Sequence, residues 1–597
     1  MLDVKKISRD YRISHVTKWF VLAVLVGIVS GLGAVVFVYA IKITQSLAIE
    51  KFAHYRFPVP FGEAGRETVK YMVGDRFLLF VSVTVGGLLA GLLIFNFAPE
   101  AAGHGTDAVI KAFHRFRGYV RPIVPIIKTV ASAITIGTGG SAGREGPIAQ
   151  IGSGFGSFLA TKLKLSDRDR RILLIAGVGG GIGSIFRAPL GGALFAVEVL
   201  YRGADVETDA VIPSIISAIV AYAVLGFFVT WKPIFITPKY EFNVFDLLYF
   251  AIIGVAVIPM AYLYVKTFYY VEEKFREARM PAIFKPMVGA ALVGVILIFL
   301  PHVAGTSYGW LQLAMLGKVS LWMMLAISLG KILATALTIG SGGSGGVFAP
   351  SLVIGGMYSG MIGKLFALLD PRIGDISPFI LVGMGAFFAA AAKVPIATIV
   401  MVAEMTGNYD LLVPITLAAS LAFLISGEWT IYHEQVQTRF DSPAHRGEFI
   451  VDVLEDIKIK DVISTPQKNV IQIPEDMKVK DALKKAALRK IACFPVITKD
   501  GDLKGILYTD DLRSIVFGGE FEDLKDILIV GDVLREKVPY LTPEDNLQKA
   551  LSLFIKEGVD ALPVVSSDGK KCIGVLTRHD VMNAYDKEIV KRVEREE

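Results

Sequence analysis

Two glycine-rich stretches carry residue types that suit the binding of an anion. GTGGSAGREGP (137–147) contains the adjacent pair Arg144 and Glu145. GSGGSGGVFAP (340–350) is also rich in glycine, and both stretches end in a proline. Each precedes an apolar segment typical of a helix. The first N–H groups of a helix have no intrahelical partner and carry the positive end of its dipole, and glycine lets an anion approach them closely. The pattern predicts helix starts that attract an anion.

A third break near Gly103–Gly105 adds another helix start of this kind. Three such ends aimed at one point hold an anion without a fully buried cation. That arrangement suits permeation, because a fixed Lys or Arg binds an anion too tightly to release it readily.

Other readings of the glycines explain less of the pattern. GSGGSG (340–345) fits the dinucleotide motif G-x-G-x-x-G, but it does not follow a short strand in a βαβ unit. Packing of helices through small residues accounts for the glycines. It does not account for the adjacent Arg-Glu pair.

The composition is that of a membrane protein. Of the 597 residues, 53% are hydrophobic and 20% are charged, and the mean hydropathy is +0.55. A spanning helix needs about 20 mostly apolar residues, and long apolar segments begin at Trp19, Phe77 and Asp246. Other apolar segments are short or interrupted by Gly and Pro. These interruptions predict helices that end inside the membrane, and their pairing in two halves of the chain predicts a transport site.

Charge and cysteine content narrow the function further. The net charge of +6 is small for this length, which argues against a nucleic-acid partner. Cys493 and Cys572 offer neither a disulfide framework nor the spacing of metal ligands. The basic N-terminal segment favours a cytoplasmic N-terminus. We expect a multi-pass membrane protein that is not an enzyme and needs no metal.

The chain becomes polar after about residue 436 and then repeats itself. CFPVITKDGDLKGILYTDDL (493–512) matches ALPVVSSDGKKCIGVLTRHDV (561–581). Each copy predicts two strands joined by an Asp-Gly hairpin turn, followed by a helix. The sequence therefore predicts a soluble α/β tandem at the C-terminal end.

The membrane part resembles the CLC family of chloride channels and proton/chloride exchangers over roughly residues 15–440. The resemblance implies a homodimer in the lipid bilayer, with a chloride pore in each subunit. It also implies an all-α fold of two inverted halves. The motifs that carry it are GREGP (143–147), APLGGALFAVEV (188–199), GGVFAP (345–350) and VAEMTGNYD (402–410).

The resemblance also implies roles for individual residues. Glu145 is the gating glutamate, which occupies an anion site and leaves it when protonated or displaced. The anion site would be formed by His104, Gly146, the N–H groups of Val347 and Phe348, and the hydroxyl of Tyr432. Arg144 is expected to tune the field of this site rather than to bind directly.

Two departures from the family pattern bear on selectivity and coupling. In GHGTD (103–107), His104 stands where the family has an anion-binding serine and Asp107 where it has proline. Val199 stands where many exchangers carry a second, proton-relaying glutamate. An apolar side chain relays no proton. The sequence therefore favours a chloride channel whose gate is a glutamate side chain, opened by voltage or pH. The alternative is a proton-coupled chloride exchanger on the same fold.

The C-terminal repeat resembles a tandem of CBS domains, a regulatory pair that often binds an adenosine nucleotide such as ATP, ADP or AMP. The second unit keeps the family's binding stretch as GVLTRHD, which supplies Thr577 and Asp580. The first unit reads GILYTDD, with Tyr508 at the threonine position and Asp511 at the aspartate position. The alternative is a pair that stabilises the fold and binds nothing.

CBS pairs also occur on magnesium transporters, but the scattered Glu145, Glu198 and Glu404 do not form the carboxylate cluster such a cation site needs. The predicted division of the chain is a cytosolic segment 1–18, a membrane domain 19–437, a linker 438–456, a first CBS unit 457–516, a second CBS unit 528–586 and a tail 587–597.

Overall fold

The computed structural model describes residues 11–63, 71–238, 240, 244–445, 453–463, 467, 470–487, 493–509, 511, 527–536, 539–566 and 568–596. The chain forms two compact units, residues 1–444 and 445–597. Parts of the predicted segment 1–18, linker 438–456, first CBS unit 457–516 and tail 587–597 lie outside the described residues.

The first unit is helical throughout its described part. Its helices are α1 (Tyr11–Gln45), α2 (Arg76–Phe97), α3 (Thr106–Arg115), α4 (Ile123–Gly137), α5 (Glu145–Lys162), α6 (Asp167–Ile185), α7 (Pro189–Glu198), α8 (Thr208–Phe228), α9 (Leu247–Glu277), α10 (Lys285–Phe299), α11 (Tyr308–Met315), α12 (Leu321–Gly340), α13 (Phe348–Leu369), α14 (Ser377–Ala392), α15 (Pro395–Thr406) and α16 (Leu412–Ile425).

These helices form two halves that follow the same order. Helices α1–α8 correspond one by one to α9–α16, so that the short α3 matches the short α11, and α5 with its glycine-rich approach matches α13. Seven of the described helices are long and apolar enough to cross a membrane. Several others are shorter apolar helices of 10–17 residues, as the Gly and Pro interruptions predict.

Glycine lets the inner helices approach one another closely. A Cβ atom added at Gly152 of α5 would lie 2.1 Å from the carbonyl oxygen of Gly177 in α6, and the converse distance is also 2.1 Å. Small residues drive helix packing in membranes because they bring backbones into contact. Large apolar side chains such as Phe227 and Leu369 lie instead on the outer surface of the unit.

The two halves are joined by a reciprocal pair of carboxylates. Glu198 ends α7 and accepts hydrogen bonds from the first turn of α15, including one of 2.7 Å from the Ala397 N–H. Glu404 in the last turn of α15 accepts hydrogen bonds from the first turn of α7, including one of 2.7 Å from the Gly191 N–H. Each helix therefore caps the start of the other.

The second unit contains two small sheets with helices beside them. The three-stranded sheet has the order β1-β2-β3, and the two-stranded sheet pairs β4 with β5. The elements are α17 (Ile459–Val462), β1 (Ile473–Pro474), α18 (Val479–Ala487), β2 (Cys493–Ile497), β3 (Leu503–Tyr508), α19 (Val530–Val533), α20 (Leu547–Glu557), β4 (Ala561–Val565), β5 (Cys572–Thr577) and α21 (Arg578–Glu596).

Both predicted Asp-Gly hairpins are confirmed. Strand β2 pairs antiparallel with β3, and β4 with β5. Gly501 and Gly569 sit in the turns with φ of 84° and 74°, a region that glycine occupies without strain. Cys493 and Cys572 are buried free thiols. Burial raises the pKa of Cys493 to about 12, so this thiol is neutral at physiological pH.

The reciprocal capping predicts an asymmetric loss of stability. Glu198→Ala leaves two N–H groups of α15 unpaired, of which the Ala397 N–H is buried, and loss of the partner of a buried donor costs about 1–3 kcal/mol. We expect a clearly lower melting temperature in detergent, with a smaller drop for Glu198→Gln, which keeps one accepting oxygen. Glu404→Ala is the matched control, and its drop should be smaller because Glu404 is half-exposed and water can replace it. Wild-type melting of Glu198→Ala would contradict the capping role.

Candidate anion-binding site

The three glycine-rich breaks meet at one place in the first unit. Gly143 and Gly346 exchange two backbone hydrogen bonds of 2.8 Å each. The Gly103 N–H donates to the Gly343 carbonyl at 3.0 Å, and the Gly345 N–H donates to the Gly103 carbonyl at 3.3 Å. These bonds join segments that lie about 200 residues apart in the chain, as 346 − 143 = 203.

Helices α3, α5 and α13 begin immediately after these contacts. None of the three starts has a side-chain cap among the described residues. Gly103 and Gly105 turn the chain into α3 with φ of 72° and 83°. The convergence predicted from the sequence therefore brings three sets of helix-start N–H groups together, each carrying partial positive charge.

A buried lysine fixes the loop before α3. Lys128 of α4 donates from Nζ to the carbonyl oxygens of Ala101 at 3.0 Å and Gly103 at 2.9 Å. The Ser344 hydroxyl donates to the same Ala101 carbonyl at 2.9 Å. Lys128 was not among the residues predicted from the sequence, although a single lysine within the apolar segment of α4 is a signal that could have found it.

Glu145 places its carboxylate within the converging starts. Oε1 accepts a hydrogen bond from the Phe348 N–H, while Oε2 has no hydrogen-bond partner in the described part of the chain. Cβ atoms added at Gly143 and Gly346 would each lie 2.1 Å from a Glu145 oxygen. Only glycine at these two positions leaves room for the carboxylate.

Gly146 and Val347 lie beside this carboxylate. A Cβ atom added at Gly146 would lie 1.5 Å from the His104 carbonyl oxygen, so glycine is required for the approach of α5 to the α3 loop. Val347 is the residue before α13, and its own side chain is fully buried.

Arg144 turns away from the carboxylate that follows it. Its Nη2 lies 2.7 Å from Oε1 of Glu63, and its guanidinium lies over the Tyr308 ring at 5.7 Å. The field of Arg144 thus acts on the anion site from one side and is partly balanced by Glu63.

His104 and Tyr432 contribute two further polar atoms. The centres of their rings are 5.5 Å apart, and both side chains are buried. His104 Nδ1 and the Tyr432 hydroxyl have no hydrogen-bond partner among the residues described. Thr106 interacts with this hydroxyl, but outside the geometry of a hydrogen bond. The Tyr432 hydroxyl is a donor that suits a small anion, and His104 Nδ1 becomes one when the imidazole is protonated.

His104 forms a dyad with Asp107 on its other edge. Nε2 lies 3.3 Å from Asp107 Oδ2, and the Asp107 carboxylate accepts from the N–H groups of His433 and Glu434 at 3.2 Å each. Asp107 also lines a cavity of about 540 Å³, so solvent has access to it. The dyad was not predicted from the sequence, although the i, i+3 spacing of His and Asp at a helix start is a signal for it.

Val199 lies buried at the end of α7. Gln435 fixes the backbone there, donating from Nε2 to the Val199, Tyr201 and Ala392 carbonyls at 3.1, 3.2 and 3.0 Å. The nearby Glu207 is buried and accepts a hydrogen bond of 2.8 Å from the Tyr201 hydroxyl.

The predicted nucleotide residues differ between the two CBS units. The Thr577 hydroxyl donates to Asp580 Oδ2 at 2.6 Å. Asp511 instead forms a two-point ion pair with Arg535, at 2.7 and 2.9 Å. The Arg535 guanidinium lies over the Tyr508 ring at 5.1 Å, so the first unit's carboxylate already has a cationic partner.

Two family models match this chain. The model described as voltage gated chloride channel matches residues 86–427, and the model described as CBS domain matches residues 459–518 and 530–587. Both agree with the resemblances found in the sequence.

Individual proteins and solved structures are also similar to this chain. An uncharacterized protein of Methanocaldococcus jannaschii is 30% identical over 419 residues, which cover 70% of this chain and 95% of that protein. The H(+)/Cl(-) exchange transporter ClcA of Vibrio parahaemolyticus is 30% identical over 363 residues, 58% of this chain and 77% of that protein. The crystal structure of a slow cyanobacterial Cl-/H+ antiporter matches with a TM-score of 0.59 at 23% identity, over 69% of this chain and 96% of that one. The predicted fold class is confirmed.

Proposed function

The chain belongs to the CLC family, and we propose that it exchanges chloride for protons across a membrane. One observation carries the proposal: a buried carboxylate, Glu145, occupies helix-start N–H groups that suit an anion equally well. A group that both competes with an anion and accepts a proton can couple the two movements.

Exchange replaces the channel that the sequence favoured. The channel rested on Val199, which relays no proton. Two findings support exchange instead: relatives and structural neighbours are named as exchangers or antiporters, and a second protonatable group, His104, lies beside the anion site. Absence of a glutamate at position 199 thus does not leave the site without a proton acceptor.

Glu145 acts as the gate in this proposal. As a carboxylate it accepts from the Phe348 N–H and excludes chloride from that position. Protonation removes its charge and weakens this charge-assisted hydrogen bond, so that the side chain leaves and chloride enters. His104, Gly146, Val347 and Tyr432 hold the anion, and Arg144 tunes the field.

We assign proton uptake from the side of the membrane that Asp107 faces to the His104–Asp107 dyad. A proton reaches Asp107 from the cavity of about 540 Å³ and passes to the imidazole, whose Nε2 lies 3.3 Å from Asp107 Oδ2. The imidazolium presents an N–H toward the site and strengthens its hold on chloride. The other charged residues of the described chain that line this cavity are Glu100, Lys111, Arg121 and Glu434.

The proposal includes the setting of the protein. It is a multi-pass membrane protein, assembled as a homodimer, with its N-terminus and CBS units in the cytoplasm. Within the described ranges, no group of three or more His, Cys, Asp or Glu residues that could hold a metal occurs.

A chloride gradient across liposomes should drive protons uphill. Liposomes that contain the protein and a high internal chloride concentration are expected to take up protons as chloride leaves. A pH-sensitive dye follows the proton uptake. Glu145→Gln should pass chloride without protons, because the amide binds no proton near neutral pH. A reversal potential that follows chloride alone, whatever the proton gradient, would reject exchange in favour of the channel.

His104→Asn tests the dyad. Asparagine keeps an N–H donor but does not titrate, so chloride transport should persist while proton transport falls by about tenfold or more. Glu207→Gln is the comparison, since Glu207 is a buried acid near Val199 that is bonded to Tyr201. Loss of coupling in Glu207→Gln and not in His104→Asn would contradict the assignment. Lys111→Gln, in the same cavity, should leave coupling unchanged.

We propose that the CBS pair binds an adenosine nucleotide at Thr577 and Asp580. In titration calorimetry with ATP, ADP and AMP, Asp580→Ala should abolish binding. Asp511→Ala should change it little, because Asp511 is already held by Arg535. Binding that survives Asp580→Ala would show that the nucleotide lies elsewhere.

A further inference from the structure

The second half of the first unit repeats the loop that carries His104. Residues 301–309 follow the course of residues 99–107: each run opens with a proline in a 3-10 turn and passes through a glycine with positive φ before a short helix. Gly103 and Gly305 have φ of 72° and 57°. The approach to α11 is therefore built like the approach to α3.

The same kind of buried lysine supports both loops. Lys331 of α12 donates from Nζ to the Val303 carbonyl at 3.0 Å and the Gly305 carbonyl at 2.6 Å, in the register that Lys128 uses in the first half. It also donates to the Ser307 hydroxyl at 3.0 Å. Ser307 has a left-handed φ of 63°, which is unfavourable for a non-glycine residue and points to a functional constraint.

A cavity of about 400 Å³ lies in front of this second helix start. Ser307, Tyr308 and Trp310 line it, together with Arg144 and the C-terminal end of α1. Helix α1 crosses once to reach this cavity, and α2 crosses back before α3 begins. The cavity therefore opens on the face opposite to the one that Asp107 faces.

Three buried donors around the cavity have no acceptor among the described residues. They are the Tyr308 hydroxyl, Trp310 Nε1 and Arg144 Nε, on side chains exposed by 1%, 9% and 7%. The indole and guanidinium groups donate only. A buried donor without an acceptor is unfavourable, so three around one cavity point to a ligand that accepts from all of them.

The charges that line the cavity favour an anion. Lys42, Arg56 and Arg144 stand against Glu50 and Glu63, so cations exceed acids by 3 − 2 = 1. Glu63 lies 2.7 Å from Arg144 and Glu50 3.7 Å from Arg56, so both acids are paired.

We propose that this cavity is a second site for a small monovalent anion such as chloride. The start of α11, the Tyr308 hydroxyl, Trp310 Nε1 and Arg144 bind it. The site is distinct from the position of the Glu145 carboxylate, which lies at the starts of α5 and α13. Arg144 precedes Glu145, so an anion bound here lies next to the gate and can move from this site to the position of the Glu145 carboxylate. This role in transport rests on the proposed function.

Calorimetric titration of chloride into the purified full chain, in chloride-free buffer, tests the site. Tyr308→Phe removes one donor with little change of shape, and Trp310→Phe removes another together with part of the ring. Each should weaken one binding event by about tenfold. Tyr432→Phe is the matched control and should weaken the other event. Tyr308→Phe should melt no lower than the wild type, because its hydroxyl has no partner to lose within the described protein.

The outcomes separate this site from the proposed function. If Tyr432→Phe changes the isotherm while Tyr308→Phe and Trp310→Phe leave it as in the wild type, the second site alone is overturned. A wild-type chain that binds no chloride overturns the proposed function and this site with it.

Discussion

Unpaired backbone N–H groups deep in a membrane protein are the constraint on which this structure depends. Such groups are costly in lipid, yet α3, α5 and α13 all start at one buried point without side-chain caps. The converging partial charges require a negative partner, and Glu145 supplies one from within the chain. In the proposed function an anion that enters from solution is an equivalent partner, so that Glu145 and the anion compete for the same donors.

The inverted repeat stabilises this arrangement. Backbone bonds between Gly143 and Gly346 hold the two halves together at the site, and Glu198 and Glu404 cap each other's helices away from it. Lys128 and Lys331 fix two equivalent loops without contributing a direct cation to the central anion. In the proposed mechanism these bonds hold the backbone in place, and the Glu145 side chain is the part that moves.

Sequence patterns predicted much of this arrangement and missed its finer parts. Glycine-rich runs before apolar segments marked the helix starts, and the Asp-Gly pairs marked both hairpins. The dyad of His104 and Asp107 was missed because each residue was compared only with the family residue it replaces. Lys128 and Lys331 stand out as single lysines within apolar segments, but their carbonyl partners leave no pattern in side-chain types, so their role in holding the two loops was missed. The preference for a channel over-weighted Val199, because one position cannot report the other titratable groups that the fold brings near.

Anomalous diffraction from crystals grown in bromide tests the central claim most directly. The account predicts a bromide peak within hydrogen-bond reach of the Tyr432 hydroxyl and His104 Nδ1, and in Glu145→Gln crystals an added peak at the Phe348 N–H. Peaks confined to surface lysines and arginines, with none at the starts of α3, α5 and α13, would contradict it.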